Sequence, residues 1–408
     1  MKKIPLTLLS AAAIANSAMA EDHLSVHYLN YSEHDDKVKA KDTVVSLEKS
    51  FGLDWTLNLE TGYDTISGAS PSLGATTPLS GSADFIARRN NIALGQAKTD
   101  EVLRSDYDPQ RSGYKVNKVK LKDRRKSING SLTYRDEKRN EWTFGANYST
   151  EEDYKSVGLN GKVLVYENEL KNRSYSLGVS TLFDKTLAFN KFTTSSGNTQ
   201  DWQNIFTGSV EAGLSQTFSP QLYMVFTGYA GYRSGYLSNH YLTVLREIDI
   251  NNNGSIGNDE VFVGQDSRPD KRYSGGVNIQ AFWAISDEVV VRPRYKWFMD
   301  DWGVRSHQIG SKMTYKATEK LTIAPGYFWY KQEGASFYKS PTASDNTFAA
   351  TGFATSDLRL GDYTANAYEI GVSYKLFSKF RLNALGAYYE QSNGFKANWW
   401  AVGATYEF

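Results

Sequence analysis

Apolar and polar residues alternate along this chain in segments of about ten residues, and such segments recur from end to end. In SINGSLTY, Ile128, Gly130, Leu132 and Tyr134 share one side of an extended backbone, and Ser127, Asn129, Ser131 and Thr133 share the other. EWTFGANY sets Trp142, Phe144, Ala146 and Tyr148 against Thr143, Gly145 and Asn147. IFTGSVEAGLSQTF does the same and leaves Glu211 on its polar side. EVVVRPRYKWFM places Arg292, Arg294 and Lys296 together on its polar side. Three cations on one strand face are hard to bury in a soluble core, where each loses hydration without a counter-charge. They can line a water-filled lumen, with the apolar side meeting hydrocarbon. Strands that meet lipid must satisfy every backbone group by pairing, so the alternation calls for a closed barrel.

Sixteen strands are expected, over 22–33, 38–50, 54–65, 124–136, 140–151, 154–166, 171–184, 204–218, 221–235, 271–284, 287–300, 303–316, 319–332, 362–376, 379–391 and 397–408. The connections support this count. Every second one is short, as periplasmic turns are (FGL, DEKRN, NELKN, SP, SD, ATEK and SK). The other set holds the long stretches near 66–123, 185–203, 236–270 and 333–361, with 66–123 and 236–270 the long surface loops. A count slipped by one strand would scramble that separation. The fold class is therefore all-β: a transmembrane antiparallel barrel. A β-sandwich with polar faces outward is the competing architecture. Aromatics make up 14% of the chain at a mean hydropathy of −0.50, which suits an apolar outside and a wet inside better than a conventional core.

Residues 1–20 read as a cleaved signal peptide: Lys2 and Lys3, a short apolar run, and AMA before Glu21. The barrel is then 21–408, exported through the inner membrane to the bacterial outer membrane. The final strand, ANWWAVGATYEF, ends on Phe408 and is expected to pair with the first strand and to engage the barrel-assembly machinery. There is no cysteine, which excludes disulfides and thiolate metal sites. A net charge of +1 gives no overall pull toward nucleic acid, so no nucleic-acid partner is expected.

The sharpest local motif is DINNNGSIGNDE, which follows D-x-[DN]-x-[DN]-G-x5-E over twelve positions. Asp249, Asn251 and Asn253 supply oxygens, Gly254 the turn, Ser255 a carbonyl, and Glu260 a bidentate carboxylate. Calcium, a hard ion taking several oxygens, fits this set as a structural cofactor that stiffens the loop, with a Kd of about 10⁻⁴–10⁻³ M. KVNKVKLKDRRK holds Lys118, Lys120, Lys122, Arg124 and Arg125, a basic cluster placed to meet lipopolysaccharide phosphates. The expected lumen-facing charges are Arg292, Arg294, Lys296, Lys162, Glu211 and Arg381. The five histidines are scattered, and a transition-metal site is not expected of them. Ser306 and His307 are adjacent on a strand and so face opposite ways, which disfavours a nucleophile–base pair.

Several stretches taken together resemble the bacterial family of domain of unknown function 3570 (DUF3570): DTISGASP (64–71), STEEDYKS (149–156), RPDKR (268–272), YKWFMDDWGVRSH (295–307), FWYKQEGASFY (328–338) and SDLRLGDY (356–363). The resemblance implies an outer-membrane barrel and supplies no catalytic or binding residues. The leading expectation is a non-enzymatic, porin-like barrel that passes or binds small polar solutes, with a mild anion bias from its mostly positive lumen. The alternative is a closed barrel serving as a surface or assembly module for an exported protein. A lipid hydrolase using Ser306 or His307 is a third reading without positive support. Lipid and lipopolysaccharide are the expected surroundings.

Overall fold

Closure comes from the ends of the chain. In the computed structural model, which describes residues 22–34, 39–65, 91–92, 116–117, 124–190, 199–240, 242–249, 252, 254–255, 261–341, 343 and 345–408, the last strand returns to the first. Val26 stands opposite Ala404, and His27 opposite Gly403. The barrel has sixteen antiparallel strands, each paired with its neighbours. They are β1 (His23–Glu33), β2 (Lys39–Phe51), β3 (Trp55–Asp64), β4 (Arg125–Arg135), β5 (Glu141–Thr150), β6 (Tyr154–Tyr166), β7 (Arg173–Asn190) and β8 (Thr199–Ser219), followed by β9 (Leu222–Gly235), β10 (Lys271–Ala284), β11 (Val289–Asp300), β12 (Arg305–Lys316), β13 (Leu321–Glu333), β14 (Tyr363–Phe377), β15 (Phe380–Gln391) and β16 (Lys396–Glu407). No described helix is long and apolar enough to cross a membrane; the strands do the spanning.

The two faces separate as the alternation requires. Ile128, Phe144, Leu159, Val179, Ile309 and Ile370 are exposed on the outside, where hydrocarbon would cover them. Rings border this band. Trp55 lies 4.8 Å from Tyr134 at the rim of short turns, and Tyr232 lies 4.9 Å from Tyr273 at the rim of long loops. On β3, Trp55 and Tyr63 are separated by about 26 Å of strand, close to the height of an outer-membrane apolar band.

Strand boundaries differ from expectation mainly at β7 and β8. These run for 18 and 21 residues, so most of 185–203 is paired strand rather than loop. Trp202 faces Leu187 and Gln203 faces Thr186 in the extension. A strand needs only about ten residues to cross. Beyond the membrane no solvent selects a face, so this hairpin continues with no alternation to announce it.

The long connections near 236–270 and 333–361 build a structure of their own. Thr243–Glu247 pairs antiparallel with Val261–Gln265 and parallel with Thr347–Ala349. Arg246 secures this sheet by donating to the carbonyls of Ala349 (2.8 Å) and Gly352 (3.0 Å). Most of 66–123 lies outside the described residues; within it, Asn91–Ile92 pairs with Val116–Asn117.

Candidate functional site: a cationic lumen wall beneath a locked loop cluster

The parity that turns Tyr295 and Trp297 outward on β11 turns Arg292, Arg294 and Lys296 inward. Arg292 Nη2 donates to Thr314 Oγ1 at 2.8 Å, and Arg294 Nη2 donates to Gln308 Oε1 at 3.3 Å. The Arg294 guanidinium also lies 5.0 Å above the Phe328 ring. The Nε atoms of both arginines are buried and lack a hydrogen-bond acceptor among the described residues. Lys312 on β12 adds a fourth cation, its Nζ 2.9 Å from Glu369 Oε1 on β14.

That last contact skips a strand. Lys312 and Glu369 both stand opposite Gly326 on β13, and a Cβ at Gly326 would fall 2.7 Å from Glu369 Cγ. Glycine is what lets the carboxylate lie flat and reach the lysine. The same device recurs elsewhere in the lumen, where Lys162 on β6 approaches Glu211 on β8 at 3.8 Å across Gly178. Arg381 is matched in another way, donating through Nη2 to Glu407 Oε1 at 3.0 Å on the adjacent strand.

All six expected lumen residues therefore face inward, but they do not form one site. Lys162 with Glu211, and Arg381 with Glu407, are neutralised pairs. Arg292 and Arg294 have no carboxylate partner among the described residues, and the carboxylate in their field, Glu369, is held by Lys312. Lys312 and Glu369 were missed by sequence reasoning. The alternation of RSHQIGSKMTYK could have placed Lys312 inside, but its reach over Gly326 depends on register.

Above this wall the two long loops enter the barrel mouth. Leu360 joins Phe298, Trp302, Val304 and Ala335 in one buried cluster, with Tyr229 and Leu237 packed against it. Phe298 and Tyr229 are inward residues of β11 and β9, and the inward Gln332 donates to the carbonyls of Arg359 and Gly361, each at 2.8 Å. A buried ion cluster ties the loops together. Arg268 donates to Asp266 (2.7 and 3.0 Å) and to Asp357 (2.9 Å), and Arg359 pairs with the same Asp357. Asp266 also accepts from Thr355 Oγ1 and from the Asn239 backbone N–H. Burial alone would raise the Asp357 carboxyl, but the Arg359 and Arg268 guanidiniums hold it well below the usual carboxylate range. Nearby, Arg272 pairs with Asp300 and stacks 4.6 Å over Trp302, while Asp300 Oδ1 accepts from the N–H groups of Trp302 (3.0 Å) and Val304 (2.9 Å). Four of the stretches that carried the family resemblance, RPDKR, YKWFMDDWGVRSH, FWYKQEGASFY and SDLRLGDY, converge here.

Other sequence candidates fare unequally. In the calcium-type loop, Asn251, Asn253 and Glu260 lie outside the described residues. Asp249 Oδ2 accepts from the Gly254 N–H at 2.8 Å, and Gly254 takes a φ of +74°. Ser255 is exposed at the tip of this turn. Among the described residues, no three His, Asp or Glu side chains gather to hold a metal. In the basic cluster, Lys118, Lys120 and Lys122 lie outside the described residues and Arg124 is exposed. Arg125 is a correction: it opens β4 on the inward parity and forms a buried ion pair with Asp64 at 2.6 Å, so it does not meet lipopolysaccharide. Ser306 is buried inside while His307 is outside, its Nδ1 2.8 Å from Tyr295 Oη, so the two form no nucleophile–base pair.

The family model described as "Protein of unknown function (DUF3570)" matches residues 5–408. No curated protein matches the chain. Among solved structures, the chain is similar to a mutant ferric enterobactin receptor (PfeA) of Pseudomonas aeruginosa, with a TM-score of 0.42 and 11% identity, covering 92% of this chain and 54% of that one. It is also similar to a bacterial polysaccharide outer membrane secretin (TM-score 0.47, 7% identity, 95% and 98% covered) and to CdiB from Acinetobacter baumannii (0.48, 7%, 95% and 60%). The chain spans about half the length of that enterobactin receptor. The closed sixteen-stranded antiparallel barrel with its apolar exterior has the architecture of outer-membrane barrels.

Proposed function

The chain belongs to the DUF3570 family, and from the wall it encloses we propose that it is a non-enzymatic outer-membrane barrel that binds or passes small polar solutes, with a preference for anions. The observation that carries this reading is the pair Arg292 and Arg294, whose Nε donors have no acceptor and whose charges have no carboxylate partner among the described residues. Guanidinium groups left in that state favour a carboxylate or phosphate from solution, which supplies both charge and acceptor oxygens. Purified barrel in planar bilayers should conduct with anion preference, and Arg292→Gln, Arg294→Gln and Lys296→Gln together should lower it. A cation-selective current that is the same in both forms would remove the proposal.

A second reading draws on the loops lodged in the mouth. A barrel closed by that cluster would act as a surface module for an exported partner, its calcium-type loop (Asp249 to Glu260) stiffened by the ion and its remaining basic residues against lipopolysaccharide. Absence of conductance together with calcium-dependent protection of the loops from protease would favour it.

A further inference from the structure

Pairing register brings three lysines into one row on the outside of the barrel. Across β4, β5, β6 and β7 the row runs Lys126, Thr150, Lys155, Lys185. All four are outward positions, and the next outward row toward the membrane runs Ile128, Tyr148, Val157, Phe183. The three lysines are exposed and lie at the long-loop end of their strands. The row covers three strand spacings, about 14–15 Å.

Lys155 and Lys185 stand directly opposite each other. Like charges in that position are destabilising. The sheet cannot relieve them by slipping one residue, because Val157 and Phe183 would then turn into the lumen. Elsewhere on the same rim the register supplies a counter-charge, as where Arg305 faces Glu333. None of the three lysines makes an ion pair among the described residues, although Glu152 and Asp153 lie in the turn just above Lys155. Lys155 has a ring instead: its Nζ is 4.8 Å from the centre of Trp202 on the β8 extension, a contact that holds the ammonium against the wall.

The row beneath is apolar throughout, with Ile128, Tyr148, Val157 and Phe183 all exposed. One patch therefore sets unmatched cations directly above side chains that meet hydrocarbon. A lipid with an anionic headgroup matches both rows, whereas a free anion engages only the upper one. Ammonium groups act on phosphate oxygens as point charges, and Thr150 places a hydroxyl between Lys126 and Lys155. We propose that the outer wall of β4 to β7 binds a bis-phosphorylated lipid headgroup of the outer leaflet. One phosphate lies between Lys155 and Lys185, the other beside Lys126 and Thr150, and the acyl chains run down over Ile128, Tyr148, Val157 and Phe183. This site is on the strands, apart from the basic loop residues 118–124, and it stands whether or not the lumen conducts.

The test uses the full chain folded in maltoside micelles and titrated with diphosphoryl lipid A, the bound lipid being counted by native mass spectrometry. Fully dephosphorylated lipid A and inorganic phosphate are the comparisons. Diphosphoryl lipid A binds about tenfold or more tightly than the dephosphorylated form, and millimolar inorganic phosphate does not displace it. Lys155→Gln with Lys185→Gln lowers that affinity about tenfold, and Lys126→Gln alone lowers it by a smaller factor. Lys155→Arg with Lys185→Arg retains it. Lys271→Gln with Lys331→Gln, the same charge change elsewhere on the rim, leaves it unaltered. Equal affinity for the two lipids overturns the proposal, as does undiminished affinity in both the Gln pair and Lys126→Gln. Equal weakening by the Lys271 and Lys331 pair would reduce the binding to overall charge and overturn it too. Displacement by inorganic phosphate would make the ligand a free anion and the lipid assignment wrong.

Discussion

Asp357→Asn separates charge from packing as the force that holds the loops over the mouth. The Asp357 side chain is fully buried. It accepts from Arg268 Nη2 at 2.9 Å, from Arg359 Nε at 2.8 Å, and from the Arg359 backbone N–H at 3.0 Å. Asparagine keeps the shape and one acceptor oxygen, so the backbone bond can survive. The charge does not. Arg268 retains Asp266, while Arg359 loses its buried ion pair with Asp357. Removing one partner of a buried pair costs about 3–5 kcal/mol. At about 1.4 kcal/mol per factor of ten, the loop-open population should rise roughly a hundred- to several-thousand-fold. The cost falls on local opening, because these bonds join loops to each other and not to the strand ladder. Hydrogen exchange reads it directly: the Ala335 amide bonds to the Leu360 carbonyl (2.7 Å) and the Ser336 amide to the Trp302 carbonyl (2.9 Å). Both should exchange faster by a hundredfold or more, with amides of β15 unchanged. If Ala335 and Ser336 exchange no faster in the variant, the apolar cluster around Leu360 and Trp302 holds the loops without help from charge.

The folded Asp357 carboxyl lies below its unfolded value of 3.8, so its stabilisation is complete above about pH 4 and is lost only as pH falls through the folded value. Protection factors at Ala335 should stay constant from pH 7 to pH 4.5; opening already at pH 5 would contradict the ion cluster. Gly326→Ala should push Glu369 away from Lys312, lower the urea unfolding midpoint by the equivalent of about 1–3 kcal/mol, and move the reversal potential further toward anions as Lys312 loses its counter-charge. Unchanged midpoint and selectivity would show that the pair tolerates a methyl group. Calcium at a few millimolar should slow proteolysis within 249–260, and Glu260→Gln should abolish the effect; equal cleavage in calcium and in chelator would remove the calcium reading.

The strands were legible because lipid enforces a strict choice at every second position, and the boundaries of β1 through β6 and β9 through β16 follow that choice closely. Where the constraint ends, so does the signal. The extension of β7 and β8 past the membrane pairs Asp201 with Ala188 and Trp202 with Leu187, a mixture that reads as loop. The sheet over the mouth was invisible for a different reason: Leu245 pairs with Thr347, and no periodicity reports a contact between such distant segments. Arg125 shows a misreading that parity could have prevented. It lies two residues before Ser127 on a strand whose odd positions point inward, so it faces Asp64 and not the outer leaflet.

The site divides along the same line. Which side chains face the lumen follows from alternation, and Arg292, Arg294, Lys296, Lys162, Glu211 and Arg381 were all legible on that basis. Which of them remain charged toward a ligand depends on neighbours one or two strands away. Lys162 and Arg381 look equivalent to Arg294 in sequence, yet Glu211 reaches the first over a glycine and Glu407 reaches the second from the adjacent strand. At Arg294 the intervening position is also a glycine, Gly310, but the residue beyond it is Phe328 and not a carboxylate. A ring there stabilises the guanidinium through its face, and Nε has no acceptor among the described residues. One substitution in that row tests the anion reading: Phe328→Glu should close Arg294 into a further neutralised pair and abolish its part in anion preference, with Lys162 and Glu211 as the internal model for the outcome. An undiminished preference in that variant would place the selective charge elsewhere in the lumen.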